Sequence, residues 1–184
     1  MRTLIFMLAV AAGSVAAKEP QLIGHWDFDG VKEGTVPDRS PRGRHGRIHG
    51  APERVTGIRG EGLRFKTNDD YVDFGAPIIP ARDFSISIWV NCDDVEKQFF
   101  LGQYRYAHPN RLDLAVREGA VRIQVDAIID SAKVIQPRRW YHLAYTRANG
   151  VLTTYVDGVR VTSGPLPADV LQEENLMLGK IVVP

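Results

Sequence analysis

The sequence predicts an all-β protein, an antiparallel two-sheet sandwich, and three observations lead there. After residue 18 no segment holds a helical period; short runs of alternating apolar and polar residues recur instead; and clusters of Gly, Asn, Asp and Pro separate those runs. A strand alternates with a period of two, so each run buries one face, and many such runs in one chain need a second sheet to cover the buried faces.

Taken in order, residues 22–27 read as a first strand and 29–57 as mostly loop, with short extended pieces near 46–49 and 54–58. Residues 62–65 and 71–74 read as a strand pair joined through Asn68, Asp69 and Asp70, residue types that bond nearby backbone in turns. The clearest strand is 84–91, where Phe84, Ile86, Ile88 and Val90 leave one side and Ser85, Ser87, Trp89 and Asn91 the other. Residues 99–104, 111–116 and 120–125 continue the pattern; Leu112, Leu114 and Val116 alternate against Asp113 and Ala115, and Glu118-Gly119 makes a hairpin turn. Residues 140–147 and 151–156 meet at Asn149-Gly150, and Asp157-Gly158 closes the next hairpin. Only 168–174 has the composition of a helical turn, ahead of a last strand-like piece at 176–178.

The first 17 residues carry Arg2, then an apolar run from Leu4 to Ala12, then Gly13, Ser14, Val15, Ala16 and Ala17. That order is the charged, apolar and small-residue order of a cleavable secretory signal, too short in its apolar part to anchor in a bilayer. The expectation is export, to the extracellular space or a periplasm, with residues 18–184 as one domain. Lys plus Arg number 23 against 22 Asp plus Glu, a near-neutral balance that argues against nucleic acid or an anionic membrane as the main partner, and no second run of membrane length follows. Cys92 is the only cysteine, which excludes an intramolecular disulfide; a buried, inert thiol is expected.

Four stretches together resemble a known family: GHWDFDG at 24–30, GEGLRF and DDYVDFG within 60–75, FSISIWVN at 84–91, and RWYHLAYTRANGVLTTYVDGVRVTSG at 139–164. In this order they are similar to the laminin-G-like jelly-roll domains of the concanavalin A-like lectin and glucanase superfamily, across residues 22–180. The resemblance implies two curved antiparallel sheets, often a calcium ion, and binding to carbohydrate or an extracellular glycoprotein; it implies no reaction. It also implies a further strand after Lys180, where Ile181, Val182, Val183 and Pro184 stand instead. The jelly roll is therefore expected to lack its last strand, leaving residues 22–27 with an unpaired edge and a tendency to self-associate.

Site residues follow from what each chemistry requires. Glucanases of the superfamily carry Glu-x-Asp-x-x-Glu on one strand, and no Glu here is followed two positions on by Asp. Asp126 and Asp130 share a strand face roughly 13 Å apart, too far for either glycosidase geometry. Gly-x-Ser-x-Gly, His-Glu-x-x-His and a Gly-rich phosphate loop are also missing from the sequence, so a noncatalytic domain is expected. His45 and His49 have the helical spacing of zinc ligands, but Gly46 and Gly50 oppose a helix there.

Asp27 and Asp29 leave an extended chain on the same side, and Asp38 in the following loop could join them as calcium ligands; the alternative is that they cap turns. Asp69, Asp70 and Asp73 read as turn chemistry. A sugar presents an apolar ring face and hydroxyl edges, and Tyr104, Arg105, Tyr106, His108, Asn110 and Arg111 offer the matching mixture in one loop. The alternative is that this aromatic pair folds back over the sheet edge. Trp26, Trp89 and Trp140 read as core or rim packing, and Arg39, Arg42, Arg44 and Arg47 as a solvated basic loop with an acidic polysaccharide as its other use. The reading is a secreted, noncatalytic recognition domain for carbohydrate or an extracellular glycoprotein. An adhesion scaffold without small ligand, and a glycoside hydrolase with paired carboxylates on neighbouring strands, are the alternatives.

Overall fold

The computed structural model describes residues 21–103, 105 and 108–180, so the expected signal peptide, Tyr104, Tyr106 and residues 181–184 lie outside the described part. The described residues form strands and no helix: β1 (Thr35–Val36), β2 (Gly46–His49), β3 (Glu53–Thr56), β4 (Glu61–Arg64), β5 (Tyr71–Asp73), β6 (Phe84–Asn91) and β7 (Lys97–Gln103) come first. They are followed by β8 (Leu112–Arg117), β9 (Ala120–Val125), β10 (Ala127–Lys133), β11 (Trp140–Ala148), β12 (Val151–Val156), β13 (Val159–Pro165) and β14 (Leu176–Leu178). An eight-stranded sheet runs β1-β2-β5-β14-β7-β8-β9-β10, a four-stranded sheet runs β13-β12-β11-β6, and β3-β4 form a separate hairpin.

The core follows from alternation. Ile48, Val72, Leu178, Leu101, Leu114, Ile123 and Ile129 stand opposite one another, strand by strand, from β2 to β10. Every member of that row is apolar, and it packs in one cluster with Phe84 and Val90 of β6, Leu143 and Tyr145 of β11, and Leu152 and Val156 of β12. The three predicted hairpin turns form with positive φ at both central residues: Glu118 and Gly119, Asn149 and Gly150, Asp157 and Gly158. Type I′ turns require that geometry, and its twist matches that of the flanking strands.

Four expectations change. Residues 62–65 and 71–74 do not pair; β4 joins β3, and β5 sits between β2 and β14. Buried Asp70 sends the chain that way by taking the amides of Ala51, Lys66 and Thr67. Residues 22–27 join no ladder, because their polar groups are taken by the 38–44 loop: the His25 amide donates to Asp38, the His25 carbonyl accepts from the Arg39 amide, and Trp26 Nε1 donates to the Arg44 carbonyl. Residues 168–174 hold no helical turn, since the Val170 and Leu171 amides donate to the distant carbonyls of Ala81 and Asn110. β10, absent from the expected strands, pairs with β9 beyond a turn at Asp126, whose φ is 55°.

β6 is one of the edge strands, with β13, β1 and β10, and among the described residues it has a ladder only with β11. Between β6 and residues 21–28 lies an open cleft of about 2310 Å3. Ile86 and Ile88, on the core face of β6, are only half-buried beside it.

Loops are tied to the sandwich by buried polar groups that are fully used. Gln103 Oε1 accepts from the Ile78 and Ile79 amides, and its Nε2 donates to the Ile79 and Leu171 carbonyls. Arg147, 4% exposed, donates to the carbonyls of Ala81, Leu166, Pro167 and Ala168. Cys92 is partly buried and its thiol is pushed up to about 11 by burial, helped by Asp94 and Asp93, so it stays protonated at neutral pH. Arg147→Ala takes a donor from four carbonyls and leaves that of buried Leu166 without one, and is expected to cost about 3 kcal/mol in urea unfolding, whereas a loss below about 0.5 kcal/mol would mean that those loops hold without it.

Candidate functional site

One position along each strand from the apolar row, side chains point away from the core. Arg47, Asp73, Met177, Gly102, Asp113 and Gln124 stand opposite one another across β2, β5, β14, β7, β8 and β9. Polar residues occupy the two ends and Met177 with Gly102 the middle. At about 4.8 Å per strand, Asp73 and Asp113 are roughly 14 Å apart.

Each carboxylate has its own partners. Asp73 accepts from Asn175 Nδ2 at 3.1 Å and from the Gly75 amide at 2.8 Å. Asp113 is 4% exposed, its Oδ2 accepts from Arg111 Nε at 2.9 Å, and its Oδ1 has no partner among the described residues. Burial pushes the Asp113 carboxyl up, and the hydrogen bond and charge of Arg111 offset only part of that. Two residues from Asp73 on the same face, Tyr71 stacks on His49 with ring centroids 4.4 Å apart and planes within 4°, and Lys180 Nζ lies 3.8 Å from the Tyr71 centroid.

The 105–111 loop borders this row. Arg111 enters it through Asp113. Arg105 pairs with Glu174 at 2.8 Å and with Glu173 at 3.4 Å, just before Asn175. His108 Nδ1 accepts the Asn110 amide, and the Asn110 carbonyl accepts the Leu171 amide, so these two residues shape the loop and dock it. Tyr104 and Tyr106 lie outside the described residues. Asp73, Asp113, Gln124, Asn175 and Tyr71 were not singled out from the sequence as ligand residues. Alternation places Asp113 opposite the core, but the strand pairing that sets it in one row with Asp73 has no local sequence signal.

Asp27, Asp29 and Asp38 do not fit a shared calcium ion. Both Asp38 oxygens are filled by the amides of His25, Ser40 and Arg44 and by the Ser40 hydroxyl. Burial raises its carboxyl pKa, yet those four donors outweigh burial and hold it below the usual value. Asp27 holds the Arg39 guanidinium at 3.1 Å, and Asp29 Oδ1 accepts the Glu61 amide at 2.7 Å. Calcium takes six to eight oxygens, and here the acceptors already face nitrogen donors. No group of three acidic, His or Cys side chains converges among the described residues. His45 Nδ1 accepts the Asp38 amide while His49 stacks on Tyr71, so the two histidines have separate employment.

The family model described as concanavalin A-like lectin/glucanases superfamily matches residues 66–181. Domain 4 of AbnA, a GH43 extracellular arabinanase from Geobacillus stearothermophilus solved in complex with arabinotriose, superposes with a TM-score of 0.68 at 20% identity, covering 89% of this chain and 85% of that one. A botulinum neurotoxin type C chain, whose cell entry depends on two ganglioside molecules, gives 0.60 at 10% identity over 88% of this chain and 43% of its own. Mouse laminin alpha1 domains LG4-5 give 0.51 at 16% identity over 62% of this chain and 32% of theirs. The chain thus spans less than half of the toxin and laminin chains, and at these identities the likeness is one of fold. No curated protein matches the sequence.

Asp113 supplies a test of the site's energetics. Its folded carboxyl titrates above the unfolded value of about 3.9, so the charged form costs stability at neutral pH and the cost disappears as pH falls through the folded value. Asp113→Asn is expected to raise the thermal midpoint at pH 7, with the difference closing below about pH 4. A lower midpoint for the variant at pH 7 would show that the Arg111 bond outweighs burial.

Proposed function

We propose that this chain, which belongs to the concanavalin A-like lectin/glucanases superfamily, is a noncatalytic recognition domain for carbohydrate, free or carried on an extracellular glycoprotein. The observation that carries the reading is the outward row of the eight-stranded sheet. Sugar hydroxyls both donate and accept, and sugar ring faces are apolar. The Asp73–Asn175 pair and the Arg111–Asp113 pair with Gln124 provide acceptors and donors at the two ends, while Met177 between them and the stacked Tyr71 provide apolar surface. The spacing suits an extended oligosaccharide rather than a single sugar.

The same spacing argues against hydrolysis, because glycosidase carboxylates lie about 5 to 9.5 Å apart and Asp73 and Asp113 are separated by three strand steps. Arabinotriose in the arabinanase domain and gangliosides in the toxin support carbohydrate as the ligand class. The signal-like first 17 residues support an exported protein.

The test is a glycan array with the processed chain, run with calcium and again with chelator. Binding of at least one oligosaccharide is expected, insensitive to chelator, weakened tenfold or more by Asp73→Ala and by Asp113→Asn, with no release of reducing sugar. Chelator-sensitive binding, or binding untouched by both substitutions, would move the site elsewhere. Absence of any glycan hit would favour the adhesion scaffold.

Self-association, where it occurs, is assigned to the free edge of β6 rather than to residues 22–27. An edge strand offers unpaired backbone groups to another copy. Sedimentation velocity across a hundredfold concentration range should show a concentration-dependent dimer, and a monomer throughout would remove this role.

A further inference from the structure

The four-stranded sheet has an outward face of its own, on the side of the sandwich opposite the Asp73–Asp113 row. Alternation identifies the residues it presents. β6 turns Ser85, Ser87, Trp89 and Asn91 outward, β11 turns out Trp140, His142, Ala144 and Thr146, β12 turns out Val151, Thr153 and Tyr155, and β13 sets Arg160 opposite Tyr155. Arg160, at the β13 edge, is the one charged residue among them, although Asp, Glu, Lys and Arg make up 24% of the sequence. Water-facing sheet surfaces ordinarily carry charge, and edge strands in particular use it to block pairing. The uncharged stretch of hydroxyls and aromatic rings across β6 and β11 is therefore unusual on such a chain.

Its aromatic end is built around Trp89, which is 48% exposed despite its size. The indole leans on the His142 ring, centroids 5.1 Å apart and planes at 47°. His142 Nε2 is 2.7 Å from Ser87 Oγ, which fixes the imidazole. Asp157, in the hairpin after β12, accepts the His142 amide on Oδ1 and donates its own amide to the His142 carbonyl, so the carboxylate stands beside the ring. Trp89, His142 and Asp157 line a shallow depression of about 460 Å3. Next to it, Ala144 lies in register between Ser87 and Tyr155, and its methyl group keeps the floor low.

We propose that this face is a second carbohydrate-binding surface, specific for neutral sugars, with Trp89 as its platform. An exposed indole takes the apolar face of a sugar ring, and the neighbouring hydroxyls with the Asp157 carboxylate meet the hydroxyl edge. Around Trp89 the outward residues of β6 and β11 carry no formal charge and the one carboxylate is that of Asp157, which disfavours sulfated or carboxylated chains there. The proposal rests on the reading of the domain as a carbohydrate binder. It adds that the domain is bivalent: two sites on opposite faces of one rigid sandwich cannot share a short oligosaccharide, but they can bridge two polysaccharide strands.

Isothermal titration of the processed chain with arabinotriose, xylotriose and cellotriose tests this. With at least one of them two sugars are expected per chain. Trp89→Ala should remove one of the two, or weaken it at least tenfold, while Asp113→Asn removes the other. Trp89→Phe keeps an aromatic platform and should retain binding within tenfold, so a folding defect in the alanine variant is distinguishable. The same polysaccharide should be cross-linked by wild type, read as turbidity, and left clear by either single variant. One sugar per chain, abolished by Asp113→Asn and indifferent to Trp89→Ala, overturns the second surface and leaves the first. Two sites that both survive Trp89→Ala overturn it as well, and so does the absence of binding by all three sugars, whereas the first surface falls only when the glycan array is also without a hit.

Discussion

Period-two alternation makes one register decide two surfaces at once, and the eight-stranded sheet depends on that coupling. Val72, Leu178, Leu101, Leu114 and Ile123 are held together inside the sandwich, and their chain neighbours Asp73, Met177, Gly102, Asp113 and Gln124 are thereby set in one line outside it. A slip by one residue in β5 or β8 would drive a carboxylate into the core and expose a valine or leucine. Burying an unpaired carboxylate costs several kcal/mol, and losing a buried leucine costs about 2 kcal/mol more, so the alternative register is strongly disfavoured. The recognition row inherits its geometry from the core without any contact of its own having to specify it.

The loops beside that row are positioned by a different kind of interaction. Gln103 follows Gly102 directly in β7, points inward, and holds the backbone at Ile78, Ile79 and Leu171 with all of its polar atoms engaged. The Leu171 amide in turn reaches the Asn110 carbonyl, which fixes the loop carrying Arg111. Arg147 does the same on the other sheet for residues 166–168. Such groups stabilise little in net terms, since their water hydrogen bonds are lost on burial, but each alternative loop position leaves one of them unsatisfied, which is costly. They therefore choose among loop conformations more than they add to stability.

Much of this was legible in the sequence, and the boundary of what was legible has a physical explanation. The strand at Phe84–Asn91, the hairpins at Asn149-Gly150 and Asp157-Gly158 and the piece at Leu176–Leu178 were readable because alternation and φ-positive turn residues are local signals. The partners of β5 were not, because Asp70 fixes the turn through the amide of Ala51, which lies in another part of the chain. Arg111 was legible as a polar loop residue next to a strand, whereas its bond to Asp113 and the alignment of Asp113 with Asp73 are set by long-range pairing. The outward direction of Trp89 followed from its alternation with Ile88 and Val90; its exposure depends on no other described residue covering that face, which only the assembled sheets reveal.

The two outward faces depart from ordinary protein surface in opposite ways. On one, Asp113 is a nearly buried carboxylate with an acceptor oxygen left without a donor among the described residues. On the other, Trp89 is a large apolar ring left in water on a strand without a charge. Each is a local cost that packing or substitution would readily remove: an asparagine or leucine at position 113, a lysine or threonine at position 89. Core demands do not require either residue, because both point away from the apolar row. A hydroxyl donor reaching Asp113, or an apolar ring face laid on Trp89, would recover that free energy on binding, and the same class of ligand carries both groups. That a single chemistry answers two unrelated costs on opposite faces is the physical argument that supports carbohydrate as the proposed ligand.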